Sequence, residues 1–327
     1  MAEDGLEEQL VKYLADAHSI EEQALPQLRA APQIAGDESL AEAFREHERE
    51  TEEQQRLVRE RLEAHEGSPI KLKDTIMKVG GAGFVLFAKS QPDTPGKLTA
   101  HAYSFEHLEL ASYELLLRVA ERAGDAETAE VARRIRDQEA AMARRLESHF
   151  DAAVAASLAE KDQDELEAEV VKYLTDQHAI EGQSIQLLEL GPRLASDAAT
   201  AKVYRDHLEE SRAQQTILES RLEAHGESPS RLKDLALRAG AFNWAAFFQA
   251  QPDTPGKLAA FVYAVEHLEI SGLELLKRVA ARAGDEGTVE AIDRVIAQER
   301  SAARVVSGEF DRAVEASLAA QGVTAPG

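Results

Sequence analysis

Apolar residues recur along this chain every three to four positions, the period of a helix with one buried face. In the first half the pattern predicts helices near 6–31, 38–65, 97–123 and 126–158. Breaks are expected at Pro32 and Gly36, at Gly67-Ser68-Pro69 and at Gly124-Asp125. A shorter apolar helix near 70–89 is expected between the second and third long helices, ending in the turn Gln91-Pro92-Asp93-Thr94-Pro95-Gly96. The same elements return at 166–191, 198–225, 257–283 and 286–319.

The return is literal. Val11-Lys12-Tyr13-Leu14 reappears as Val171-Lys172-Tyr173-Leu174, and 91–98 reappears unchanged as 251–258, at a constant offset and without a gap. The period is too long for a solenoid, whose units run roughly 20 to 50 residues, and is the size of one domain. Two tandem domains are therefore expected, 1–160 and 161–327. Each has four long helices with one long crossover between the second and third. Bundles of simple up-and-down topology use short loops throughout, so this all-α plan is that of a ferritin-like four-helix bundle. The two halves are expected to pack as an intrachain pseudo-dimer.

Following each apolar stripe exposes polar interruptions that both copies keep. Helix one runs Leu10, Leu14, Ala17, Glu21, Ala24, Leu28, and Glu21 returns as Glu181, while its neighbour Glu22 drifts to Gly182. Helix two runs Leu40, Phe44, His47, Glu50, Gln54, and keeps His207, Glu210 and Gln214. Helix three holds Glu106, His107 and Glu109, repeated as Glu266, His267 and Glu269. Helix four runs Val131, Ile135, Glu139, Met142, Leu146, Phe150, and Glu139 returns as Glu299. Each helix thus puts a carboxylate on its inner face. Buried carboxylates are costly unless paired, hydrogen-bonded or metal-bound, and divalent cations relieve several at once. Carboxylates from four helices with two histidines match the inventory of di-iron and di-manganese bundle sites. His18 and His178, three residues before Glu21 and Glu181, are further candidates, as are His107 and His267. The competing arrangement is a buried polar network, or a salt-bridge lattice with Arg61 and Arg118.

Composition narrows the chemistry. There are 37 basic and 60 acidic residues and a net charge of −23, which opposes nucleic acid and anionic membranes. With no cysteine, any metal site must use Glu, Asp and His, which suits iron, manganese or zinc. The acidic N-terminus is unlike a signal peptide, and the longest apolar runs, 79–88 and 239–248, fall short of a membrane span, so a cytoplasmic protein is expected.

The segments 16–23 in helix one, Glu46-His47-Glu48-Arg49-Glu50-Thr51 in helix two and Val265-Glu266-His267-Leu268-Glu269 in helix three resemble the YciF-like bacterial stress-protein family, of the ferritin-like superfamily. The resemblance covers nearly the whole chain, once per half. It implies a four-helix bundle with a di-metal centre, dimerisation of single domains and a role in stress response. It places carboxylate ligands at Glu21, Glu50, Glu106, Glu109 and Glu139 and their copies. The chain departs from the superfamily on helix four, where Met142 and Ala302 stand three residues after the Glu, a place often held by His.

The leading expectation is a di-iron or di-manganese centre in each half, which if redox active reacts with peroxide or oxygen as a peroxidase, catalase or ferroxidase. Tyr13 and Tyr173, two turns before the helix-one Glu, are expected as redox-active neighbours or as core residues. The alternative is a non-catalytic stress or scaffold protein with a vestigial polar core, its apolar segments around 84–87 and 242–244 capping the bundle or meeting an unknown protein partner.

Overall fold

The computed structural model describes residues 2–66, 94–195, 197–227, 248 and 254–323. The first half contains α1 (Ala2–Ile34), α2 (Glu38–Glu66), α3 (Pro95–Ala123), α4 (Ala126–Ser148) and α5 (Phe150–Ser157). The second contains α6 (Gln163–Leu194), α7 (Ala198–Ala224), α8 (Thr254–Ala283), α9 (Glu286–Gly308) and α10 (Phe310–Ala320), and no strand occurs among the described residues. The crossover helix expected near 70–89 and the apolar segments at 79–88, 84–87 and 242–244 lie outside them. Of 239–248 only Phe248 is described; it is buried and meets Phe261 edge-on at 6.0 Å.

Local chemistry sets the helix ends. Thr94 caps α3, its hydroxyl accepting from the Lys97 amide at 3.3 Å, and Pro95 occupies the first turn, where its missing N–H costs nothing. Gly124 closes α3 at φ 72°, a left-handed conformation that favours glycine, and Asp125 then caps α4; Gly284 and Asp285 repeat the turn. Two expectations are corrected. Pro32 does not end α1, which runs on to Ile34 before Gly36 turns the chain at φ 64°. A proline this close to the end removes one helical bond, and the continued turn buries Ala31 and Ala35. The fourth helix, expected unbroken over 126–158, is divided at His149, and its copy at Glu309. At both joints the amide bonds three residues back, His149 to the Leu146 carbonyl and Glu309 to that of Val306, which tightens the turn and re-aims the chain.

Within each half, α1 lies against α2 and α3, α3 against α4 and α2 against α4, and α6 to α9 repeat this as a second bundle. This is the all-α ferritin-like plan, twice. The halves meet chiefly along α3 and α8. There the Ser104 hydroxyl donates to the Ala264 carbonyl at 2.7 Å, and the Ser271 hydroxyl to that of Ala100 at 3.2 Å. Two ion pairs repeat across the boundary, Lys97 with Asp176 and Lys257 with Asp16, each at 3.0 Å. A further reciprocal contact uses the absence of a side chain. A Cβ on Gly256 would sit 2.8 Å from the Tyr13 hydroxyl, and one on Gly96 would sit 2.9 Å from that of Tyr173.

The apolar core divides into two clusters, and each contains residues of both halves. One joins Leu10, Leu14 and Leu116 to Leu258, Phe310 and Val314; the other joins Phe44, Leu146 and Phe150 to Leu174, Leu276 and Val295. No described helix is long and apolar enough to cross a membrane. Because neither half completes its core alone, the whole chain is expected to unfold in one transition. Phe310→Ala, at a side chain packed against Tyr263 in a shared cluster, should destabilise both halves together by about 3–5 kcal/mol. Urea denaturation followed by helical circular dichroism checks this; two separated transitions would contradict it.

Candidate metal centre

The kept polar residues lie between the two apolar clusters. Along the first half, Leu14, Val58, Leu62 and Ile135 belong to one cluster, and Leu28, Phe44, Met142 and Leu146 to the other. Glu21, His47, Glu106, Glu109 and Glu139 fall between them in sequence on all four helices, and all are buried. His47, Glu106, Glu109 and Glu139 each offer a ligand atom within 4.8 Å of the others. The His47 Nε2 lies 3.0 Å from Glu106 Oε2 and 3.4 Å from Glu139 Oε2. Gln54 Nε2 donates to Glu139 Oε1, and the Tyr113 hydroxyl donates to Glu21 Oε1.

The second half brings His207, Glu266 and Glu299 within the same 4.8 Å, with the His207 Nε2 2.7 Å from Glu266 Oε1. Glu181 and Glu269 are also fully buried. Both oxygens of Glu181, Glu269 and Glu299 lack a hydrogen-bond donor among the described residues.

Burial dominates the electrostatics. It raises the Glu21 carboxyl well above the usual range, with the Glu139 charge adding to it and the Tyr113 hydrogen bond opposing it. Burial lifts Glu106 to about 8 against the pull of His47, and lifts Glu109 well above normal, helped by Glu139 and Glu21. In the second half it pushes Glu181 to about 8, with Glu266 adding, and pushes Glu269 and Glu299 well up. The histidines go the other way from what burial alone dictates. Burial disfavours the charged ring, yet Glu106 and Glu139 hold His47 well above its ordinary value, and Glu266 holds His207 at about 9. Burial and the neighbouring carboxylates both favour the protonated carboxyl at these positions.

Several expected ligands lie elsewhere. Glu50 and Glu210 are outside both groups: Glu50 is part-exposed and meets the opposite nitrogen of His47 at 3.2 Å, and Glu210 lies 3.7 Å from the Nδ1 of His207. That position orients a ligating imidazole from behind. His107 and His267 face the boundary between the halves, not the carboxylates. Their rings stack at 3.5 Å and 13°, and each ring Nδ1 bonds the carbonyl four residues back, of Tyr103 and Tyr263, at 2.7 Å. His18 lies 3.5 Å from the Arg59 Nε and 3.9 Å from Glu22, and His178 lies 3.3 Å from Glu219, so neither joins a group. Tyr13 and Tyr173 reach across to the opposite half and are not beside the helix-one Glu of their own.

The salt-bridge lattice is not built either. Arg61 pairs with Asp125 and Glu127, and Arg118 with Glu114 and Asp311. Tyr113 is not among the sequence candidates because it occurs once: its copy is Leu273. The aromatic among helix-three leucines, one turn beyond Glu109, was the available signal.

Each group therefore fits a cation: an imidazole, converging carboxylates and buried oxygens without donors, all hard ligands suited to iron, manganese or zinc. Compared with protein families, the chain matches the one described as a domain of unknown function, DUF892, over residues 5–159 and again over 166–319. Comparison with curated proteins and with solved structures finds no match.

The raised pKa values carry a sign. An acid held at about 8 when folded and near 4.5 when unfolded keeps its proton only in the folded state between those values, so the metal-free protein loses stability as pH rises through that window. His207 acts in the same direction between 6.5 and about 9, its folded form holding the extra proton. The Tm of metal-free protein should fall from pH 6 to pH 9, and added manganese(II) should flatten or reverse that trend. Differential scanning calorimetry with and without the metal reads both slopes.

Proposed function

The chain belongs to the DUF892 family, in two tandem copies, and on that premise we propose that each half holds a dinuclear iron or manganese centre. The observation that carries this is the pair of buried histidine–carboxylate groups whose oxygens lack donors. In the first half His47, Glu106, Glu109 and Glu139 would hold the ions, with Glu21 completing the set. In the second, His207, Glu266 and Glu299 would do so, with Glu181 and Glu269. Bound iron or manganese supplies one-electron redox chemistry toward peroxide or oxygen. The YciF-like motifs of helices one to three support a place for this chemistry in a cytoplasmic stress response.

What the chain itself contributes is legible atom by atom. The carboxyls of Glu106 and Glu181 lose protons when a cation replaces them, so ion uptake and proton release are coupled. Glu50 holds the His47 ring from the solvent side at 3.2 Å, and the part-exposed Glu50 and Glu210 stand between each group and water. The apolar layers above and below exclude water from the remaining sides. Met142 and Ala302, in place of a second histidine, leave each group with one imidazole and a surplus of carboxylate. That balance favours hard, oxygen-preferring ions.

The test is metal content per chain by mass spectrometry after anaerobic loading and desalting. About four ions are expected, as two dinuclear bundle sites imply, and Glu106→Ala with Glu139→Ala should remove about half. At 100 times its Kd each independently bound ion should stabilise the fold by about 2.7 kcal/mol. If neither iron nor manganese is retained and Tm does not move, the carboxylates are a structural polar core and the alternative of a non-catalytic scaffold stands.

A further inference from the structure

The two halves bury the same five polar positions, His47 with Glu21, Glu106, Glu109 and Glu139 and their copies, yet their surroundings differ at the carboxylate of the first helix. In the first half, Tyr113 is fully buried and its hydroxyl donates to Glu21 Oε1. The bond fixes the Glu21 rotamer and leaves Glu21 Oε2 buried, without a donor and available to a cation. In the second half the same position is Leu273, also fully buried, which has nothing to donate. Neither oxygen of Glu181 has a hydrogen bond of good geometry; the Ser211 hydroxyl faces it and lowers its carboxyl pKa, a looser contact than the Tyr113–Glu21 bond.

A second difference runs in the same direction. Gln54 Nε2 donates to Glu139 Oε1, whereas its copy Gln214 bonds only Gln298, at 3.4 Å, and leaves both Glu299 oxygens bare. Separately, the first half gathers four side chains within 4.8 Å and the second three, Glu109 belonging to the first group and its copy Glu269 not to the second.

We propose that Tyr113 is a positioning residue that makes the two halves unequal, the first binding its ions more tightly than the second. The physical reason is preorganisation. Outer hydrogen bonds hold ligating carboxylates in place and make them better ligands, and losing one typically costs about 10- to 100-fold in affinity. Glu21 and Glu139 have such bonds, from Tyr113 and Gln54, while Glu181 has only the looser Ser211 contact and neither oxygen of Glu299 has a hydrogen bond of good geometry. The tandem fusion thus yields a chain with a high-affinity half, filled when metal is scarce, and a low-affinity half, filled only when it is abundant. This rests on the metal-binding reading above.

The experiment uses full-length, metal-stripped protein and manganese(II) alone, followed by calorimetry and electron paramagnetic resonance. Glu266→Ala with Glu299→Ala isolates the first site, and Glu106→Ala with Glu139→Ala isolates the second. The first site should bind about 10- to 100-fold more tightly than the second. Tyr113→Phe, which keeps the ring and its volume, should weaken the first site by a similar factor without changing the number of ions bound, and should leave the second site unaltered. Equal affinities in the two isolated halves, or a first site indifferent to Tyr113→Phe, would overturn the inference while leaving metal binding intact. No manganese uptake by either half would instead overturn the metal reading on which it rests.

Discussion

Like charges buried together are the constraint around which this molecule is arranged. Four carboxyls of each half are buried in the middle of a bundle, between two apolar clusters that give them no water to lean on. Burial raises the pKa of carboxyls such as Glu106 and Glu181, and the same carboxylates raise His47 and His207. That arrangement costs stability, since each group is held away from its preferred state. Apolar side chains of similar volume at these buried positions would avoid that cost, so these residues mark where the fold gives up stability.

The helices that carry these groups also join the halves. On α3, Glu106 and His107 are neighbours, and one residue of helix turns the side chain by about 100 degrees. Glu106 therefore enters the carboxylate group while His107 stacks on His267 across the boundary. α8 does the same with Glu266 and His267. One short stretch, read twice, builds both a candidate centre and the seam between the centres. Serine hydroxyls on the same two helices, Ser104 and Ser271, bond the carbonyls of the opposite half and let the backbones approach closely.

Much of this was legible in the sequence because the duplication let one half check the other. Helix positions followed from the apolar period, and Glu21, His47, Glu106, Glu109 and Glu139 stood out as polar residues in apolar register. What failed was direction. Glu50 shares a helical face with His47 but sits at its outer edge, behind the ring, because two residues three apart diverge by some 60 degrees and only one could point to the axis. His107 is also kept twice, but its ring faces the boundary, stacked on its own copy. Tyr113 escaped for the opposite reason, since it occurs once. Repetition reports what both halves need and is blind to what distinguishes them. The joint at His149 went unread although Ser148-His149 and, in the copy, Ser307-Gly308 are weak helix formers, because the apolar period runs through it unbroken; a backbone bond shifted by one residue marks it.

The shared clusters have a bearing on how the chain comes into being. Synthesis delivers α1 to α5 first, yet Leu10, Leu14 and Leu116 find part of their burial against Leu258, Phe310 and Val314, near the end of the chain. A nascent first half leaves the ribosome with an apolar flank that its own residues do not cover. It must hold that flank without binding another nascent copy until α8 and α10 arrive. Covalent linkage makes this tractable: the missing surface follows on the same chain, at an effective concentration no separate partner would match. Order of synthesis, and not only the final packing, is thus one reason for two such halves to be encoded as one polypeptide.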